Sequence, residues 1–143
     1  MTYAVDTNII YDVLKADPVF GPMSRDCLAH FIREGCDLVA CDVVWAEASA
    51  GIADKTVFRR DMARLGIAYS PIPESAAVRA GEIWRKARIA AAKAKTNARL
   101  AVLPDFLIGA HAMGCADALI TRDKGFMRRW FSELTVVDPS TAH

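Results

Sequence analysis

Five short apolar runs punctuate this chain, each separated from the next by a stretch with helical spacing. They are Met1 to Val5, Leu38-Val39-Ala40-Cys41, Ile67-Ala68-Tyr69, Ala118-Leu119-Ile120-Thr121 and Leu134-Thr135-Val136-Val137. Runs this short, with helices between them, predict buried strands joined by helical crossovers. The pattern constrains the chain to an α/β fold with a mostly parallel sheet of about five strands and helices on both faces.

The helices can be placed from their apolar stripes and stop signals. Thr7 or Asn8 can cap a helix through Ile9, Ile10, Val13 and Leu14. Asp17-Pro18 and Gly21-Pro22 break the chain, and a second helix carries Cys27, Leu28, Phe31 and Ile32 before Gly35 stops it. Asp42 caps a helix that runs through Glu47 toward Gly51, and Lys55 to Leu65 is amphipathic. Pro71-Ile72-Pro73 starts a long helix with the stripe Ala76, Ala77, Ala80, Ile83, Trp84, Ala87 and Ala91, weakened at Thr96-Asn97. Pro104 starts a helix from Asp105 to Met113, ended by Gly114, and Phe126 to Phe131 is a short one.

With 143 residues, 53% of them hydrophobic and 24% charged, the chain fits one domain spanning 1–143. A net charge of +1 gives no global attraction to nucleic acid, so any such role must come from local patterning. The four cysteines form no CxxC pair and have no histidine at zinc spacing, which fits structural thiols in a reducing cytosol. No basic and apolar leader opens the chain, and no apolar run approaches the roughly 18 residues of a membrane span. The expected location is cytoplasmic, with no membrane partner.

Four carboxylates stand where strands end or helices begin. Asp6 closes the first strand, Glu47 interrupts an apolar stretch, Asp105 follows Pro104, and Asp123 follows the fourth strand. In open parallel sheets, ligands collect beyond the carboxyl ends of the strands. Gly109 and Ala112 beside Asp105, and Ala50 and Gly51 beside Glu47, predict space around these acids, hence a cleft. Gathered carboxylates repel one another, and a hard divalent cation such as Mg²⁺ or Mn²⁺ removes that cost. Such an ion activates water and neutralises charge on a phosphodiester. Each acid also has a structural alternative: helix cap for Asp6, partner of a distant Arg for Glu47, first-turn acid for Asp105, turn residue for Asp123. Their joint placement argues for a shared site.

A basic stretch from Arg79 to Arg99 also holds Arg85, Lys86, Arg88, Lys93 and Lys95, and Arg79, Lys86 and Lys93 line one helical face. It suits either RNA phosphates or a solvated helix face. Arg122, Lys124, Arg128 and Arg129 form a second basic set beside the acids. Phe126, Trp130 and Phe131 could stack on bases but are expected to pack on the sheet. Trp45 and Trp84 read as core or dimer contacts. His111 lies about 240° round its helix from Asp105 and reads as a packing or hydrogen-bonded residue.

Val5-Asp6-Thr7-Asn8-Ile9-Ile10 resembles the opening motif of PIN-domain nucleases. Trp45-Ala46-Glu47-Ala48-Ser49 is similar to their second acidic motif, Pro104-Asp105-Phe106-Leu107-Ile108-Gly109-Ala110-His111-Ala112 to the third, and Leu119-Ile120-Thr121-Arg122-Asp123-Lys124-Gly125-Phe126 to the last. The four motifs, in order, cover nearly the whole chain and most resemble VapC-type toxins of toxin–antitoxin pairs. That resemblance implies a three-layer α/β/α fold and a Mg²⁺- or Mn²⁺-dependent endoribonuclease with an RNA substrate, leaving 5′-phosphate and 3′-hydroxyl ends. It also implies a homodimer and a cognate antitoxin protein. By motif match Asp6, Glu47, Asp105 and Asp123 would hold the metal, with Thr7, Asn8 and Thr121 as polar support and Asp117 as a substitute for Asp123. Arg122, Lys124, Arg79, Lys86 and Lys93 are the candidate substrate contacts. Two other readings stay open: an inactive PIN-like module binding RNA or protein, and a haloacid-dehalogenase-like phosphatase using Asp6. The phosphatase motif wants a second Asp where Asn8 stands.

Overall fold

The computed structural model describes residues 1–94 and 102–141. Lys95, Thr96, Asn97 and Arg99 of the basic stretch lie outside the described residues. The chain runs β1 (Thr2–Val5), α1 (Thr7–Leu14), α2 (Phe20–Arg33), β2 (Asp37–Cys41), α3 (Asp42–Ala50), α4 (Lys55–Arg64), β3 (Ile67–Ser70), α5 (Glu74–Ala94), α6 (Leu103–Cys115), β4 (Ala118–Ile120), α7 (Lys124–Trp130) and β5 (Val136–Val137). All strand pairs are parallel, in the order β3-β2-β1-β4-β5. The chain therefore builds outward from β1 through β2 to β3, then returns to the other side of β1 for β4 and β5. The reversal falls between β1 and β4, where an open sheet splits its crossovers and leaves a crevice.

Register fixes what meets in that crevice. Val5 pairs with Ile120, so Asp6 and Thr121 leave the sheet side by side, and the Asp6 amide still donates to the Ile120 carbonyl at 3.0 Å. On the other flank Cys41 pairs with Ser70, which ends β2 and β3 level with each other. Helices complete the three α/β/α layers: α1 packs on α2, α5 along α6, α6 on β1 and β4, and α4 on β3. Ile9 and Ile10 of α1 are fully buried, each contributing roughly 1.5–3 kcal/mol of apolar burial. At 100° per residue they occupy one side of α1, while Thr7, Asn8, Tyr11 and Asp12 share the other.

Several expectations are corrected. Gly21-Pro22 does not interrupt the chain but lies in the first turn of α2, where a missing proline N–H has no intrahelical acceptor to lose. Asp6, rather than Thr7 or Asn8, caps α1, its side chain accepting from the Thr7 amide. Gly114 lies inside α6, and β5 shrinks to two residues. Gly35 does end α2: at φ +78° its amide reaches Ile32 and that of Cys36 reaches Phe31, a Schellman closure.

Candidate active site

Asp6 stands just beyond β1, at the switch point between β1 and β4, and is 7% exposed. Its Oδ1 accepts from the Thr7 amide at 2.7 Å, and its Oδ2 accepts from Thr121 Oγ1 at 2.7 Å and Asn8 Nδ2 at 3.4 Å. A carboxylate offers about four lone-pair directions, so these bonds leave about one for a ligand. Burial pushes the Asp6 carboxyl up to about 6; the bonds from Thr121 and Thr7 pull it down, and the negative charges of Asp105 and Glu47 push it up again. Glu47 and Asp105 are thus within electrostatic reach of Asp6.

Glu47 reaches the crevice from α3, and its position is held twice from α1. Thr7 Oγ1 donates to Glu47 Oε1 at 2.8 Å, and the Tyr11 hydroxyl donates to the Glu47 carbonyl. Tyr11 fits because the neighbouring residue is Gly51, where a Cβ would come within 2.8 Å of the Tyr11 ring. At Gly109, below Asp105, a Cβ would strike the Phe131 ring. The glycines beside these two acids therefore admit aromatic rings and do not open the cleft that their size suggests. Asp105 sits in the first turn of α6, partly exposed, where the helix dipole favours its charge.

Asp123 is exposed at the start of α7 and joins the group only through its amide, which donates to Thr121 Oγ1 at 3.0 Å. Thr121 thus gives its one proton to Asp6 while accepting from Asp123 and Asn8, which saturates the hydroxyl. Asp117 is at the opposite end of the strands, where its side chain accepts from the Thr2 amide. Sequence reasoning missed Asp12, which is buried on α1 and takes both arms of the Arg122 guanidinium at 2.8 Å, along with Ser24 Oγ at 2.8 Å. Its spacing, one turn beyond Asn8, is the signal that could have found it. His111 is buried and shares a 2.9 Å hydrogen bond between its Nε2 and Ser70 Oγ, and burial lowers its pKa.

Among the candidate substrate contacts, Lys86 and Lys93 are exposed on α5, Arg79 lies 3.7 Å from Glu82, and Lys124 lies 3.7 Å from Asp138. Phe126, Trp130 and Phe131 pack round Phe106, while Trp45 packs on Phe58 and Tyr69. The Cys27 and Cys41 thiols, pushed up to about 11 by burial, are poor nucleophiles.

The donors suit a hard cation. All are oxygen atoms, and among the described residues no Arg or Lys forms an ion pair with Asp6 or Glu47. Among those residues, too, no group of three or more His, Cys, Asp or Glu is arranged to hold a metal ion as it stands. The oxygen donors of Asp6 and Glu47 are of the kind a hard divalent cation takes. Among the described residues no helix is long and apolar enough to cross a membrane.

The chain is similar to several solved structures. VapBC-1 from nontypeable Haemophilus influenzae aligns at 21% identity over 99% of this chain and 100% of that chain, with a TM-score of 0.67. A toxin–antitoxin complex from Klebsiella pneumoniae aligns at 20% identity over 98% and 99%, with a TM-score of 0.64. VapBC2 from Rickettsia felis, bound to a promoter DNA fragment, aligns at 16% identity over 96% and 98%, with a TM-score of 0.63. Identities this low show a shared fold. No curated protein matches the chain at a significant level. A family model described as PIN domain matches residues 3–130. With that match over most of its length, the chain belongs to the PIN domain family.

Proposed function

We propose that this protein is a divalent-metal-dependent endoribonuclease, the VapC-type toxin of a toxin–antitoxin pair, which inhibits translation by hydrolysing RNA phosphodiester bonds. What supports the reading is the PIN-domain match together with the place of Asp6 at the switch point of the sheet, where Thr7 bonds both Asp6 and Glu47 and the charge of Asp105 acts on Asp6. The matched folds in toxin–antitoxin complexes support a protein antitoxin as partner; a homodimer and a cytoplasmic location are part of the same proposal.

Asp6, Glu47 and Asp105 are the proposed ligands of Mg²⁺ or Mn²⁺, with Asp123 completing the set from the α7 side. A bound ion would lower the pKa of a water and offset charge developing on the phosphate, so no nucleophilic side chain is required. The chain's own part is to keep oxygens ionised and aimed. Thr7 holds Glu47; Thr121 and Asn8 hold Asp6. An Asp6 carboxyl near 6 is mostly ionised at neutral pH and loses its ligand form in mild acid. Arg79, Lys86, Lys93 and Lys124 are the proposed phosphate contacts, with an affinity that falls as salt rises.

The test is incubation of antitoxin-free protein with total RNA, with Mn²⁺ or with EDTA, beside Asp6→Asn. Metal-dependent cutting that the variant lacks supports the nuclease. Retention of RNA without cutting would favour a binding module, and phosphate release from small esters would favour a phosphatase.

A further inference from the structure

Arg122 stands next to Thr121 and Asp123, yet its guanidinium is turned to a buried acid. Nε donates to Asp12 Oδ2 and Nη2 to Asp12 Oδ1, both at 2.8 Å, while Ser24 Oγ takes a further bond to Oδ2. The Phe20 ring lies 4.0 Å from the guanidinium carbon, and the Arg122 side chain is 28% exposed. The Arg122 amide donates to Asn8 Oδ1 at 3.2 Å. Asn8 and Asp12 are one helical turn apart, so α1 grips residue 122 by backbone and side chain together.

We propose that Asp12 and Arg122 form a positioning pair for the acidic site, clamping the turn after β4 to α1 so that the Thr121 hydroxyl stays on Asp6. The bonds make a closed circuit: Asp12 to Arg122, Arg122 to Asn8, Asn8 and Arg122's neighbour Thr121 to Asp6. A buried ion pair is weak evidence for stability, since apolar residues of the same volume often serve as well. Its value here lies in geometry. The planar fork fixes two directions at once, which a lysine ammonium cannot do. Outer-sphere supports of this kind tune the groups that hold a metal.

The inference rests on the nuclease reading for two of its three readouts, RNA affinity and kcat, and not for Mn²⁺ affinity. Mn²⁺ affinity is measured by electron paramagnetic resonance, and RNA affinity in EDTA over a salt series, for wild type, Asp12→Asn and Arg122→Lys. Each variant is compared below its melting transition, and kcat is recorded with Mn²⁺. The pair predicts that both variants lose roughly 10–100-fold in Mn²⁺ affinity or kcat, while RNA affinity and its salt slope stay at the wild-type value. Direct phosphate contact by Arg122 predicts the reverse: Asp12→Asn is silent, and replacing the arginine weakens RNA binding. That result overturns the proposal, as does a variant with unchanged Mn²⁺ affinity and kcat, or a chain that fails to fold without the pair. If wild type binds Mn²⁺ but cuts no RNA, the nuclease falls while the pair is still judged by metal affinity.

Discussion

Replacing Asp6 by Asn should reverse the sign of its effect on stability between mild acid and mild base. The native carboxyl titrates near 6 rather than at 3.8, chiefly because it is buried. The folded state therefore holds its proton to higher pH than the unfolded chain. Below about pH 4 both states are protonated and no penalty exists; through pH 4 to 6 the penalty grows; above the native value it is complete. A shift of about two units corresponds to about 3 kcal/mol. The substitution also has a pH-independent cost. It places an amide NH₂ at the Oδ2 position, where Thr121 and Asn8 now donate to a donor, at about 1–2 kcal/mol. Asp6→Asn should thus be about 1–2 kcal/mol less stable than wild type near pH 4 and about 1–2 kcal/mol more stable near pH 8. Urea unfolding in EDTA at constant ionic strength, repeated across that range, measures the difference directly. Glu47 and Asp105 remain in both chains and largely cancel. A difference that stays flat with pH, or that swings in the other direction, refutes the account of Asp6 as a buried acid pressed by its neighbours.

Mn²⁺ at about 100 times its Kd should stabilise wild type by about 2.7 kcal/mol and leave Asp6→Asn unchanged in thermal melts; equal stabilisation of both would place the ion elsewhere. Gly109→Ala should lose about 1–3 kcal/mol because its methyl meets the Phe131 ring. Gly114→Ala, on the same helix with nothing within 4 Å of the new methyl, should gain about 0.5–1 kcal/mol; urea midpoints read both. His111 is held below its ordinary pKa by burial, so wild type should lose stability as pH falls through about 6.5 and the unfolded chain takes up a proton. His111→Gln should abolish that acid-side loss, and a variant with the wild-type pH profile contradicts it.

The strands were readable because parallel, doubly covered strands are nearly continuous apolar runs, and β1 and β4 are such runs. Their order was not. Nothing local in Ala118-Leu119-Ile120 states that it pairs with β1 on the side away from β2. The acids were conspicuous because charge at the end of an apolar run is costly, but their supports were not. Asp12 looks like one more polar residue on an amphipathic helix until the fold brings Arg122 across from the other half of the chain. Gly51 and Gly109 misled for the same reason: a small side chain leaves room, and only tertiary structure says that Tyr11 and Phe131 take it. Gly21-Pro22 was misread because a breaker in a helix interior is a permitted residue in a first turn.

The support helix α1 works through angular phase. Its Ile side is keyed into the core, and its polar arc serves Glu47 through Thr7 and Tyr11 and the turn after β4 through Asn8 and Asp12. One residue inserted after Asp6 would rotate that arc by about 100° and dismount both flanks in a single step. The spacing from Asp6 to Asp12 is thus a fixed dimension of the molecule.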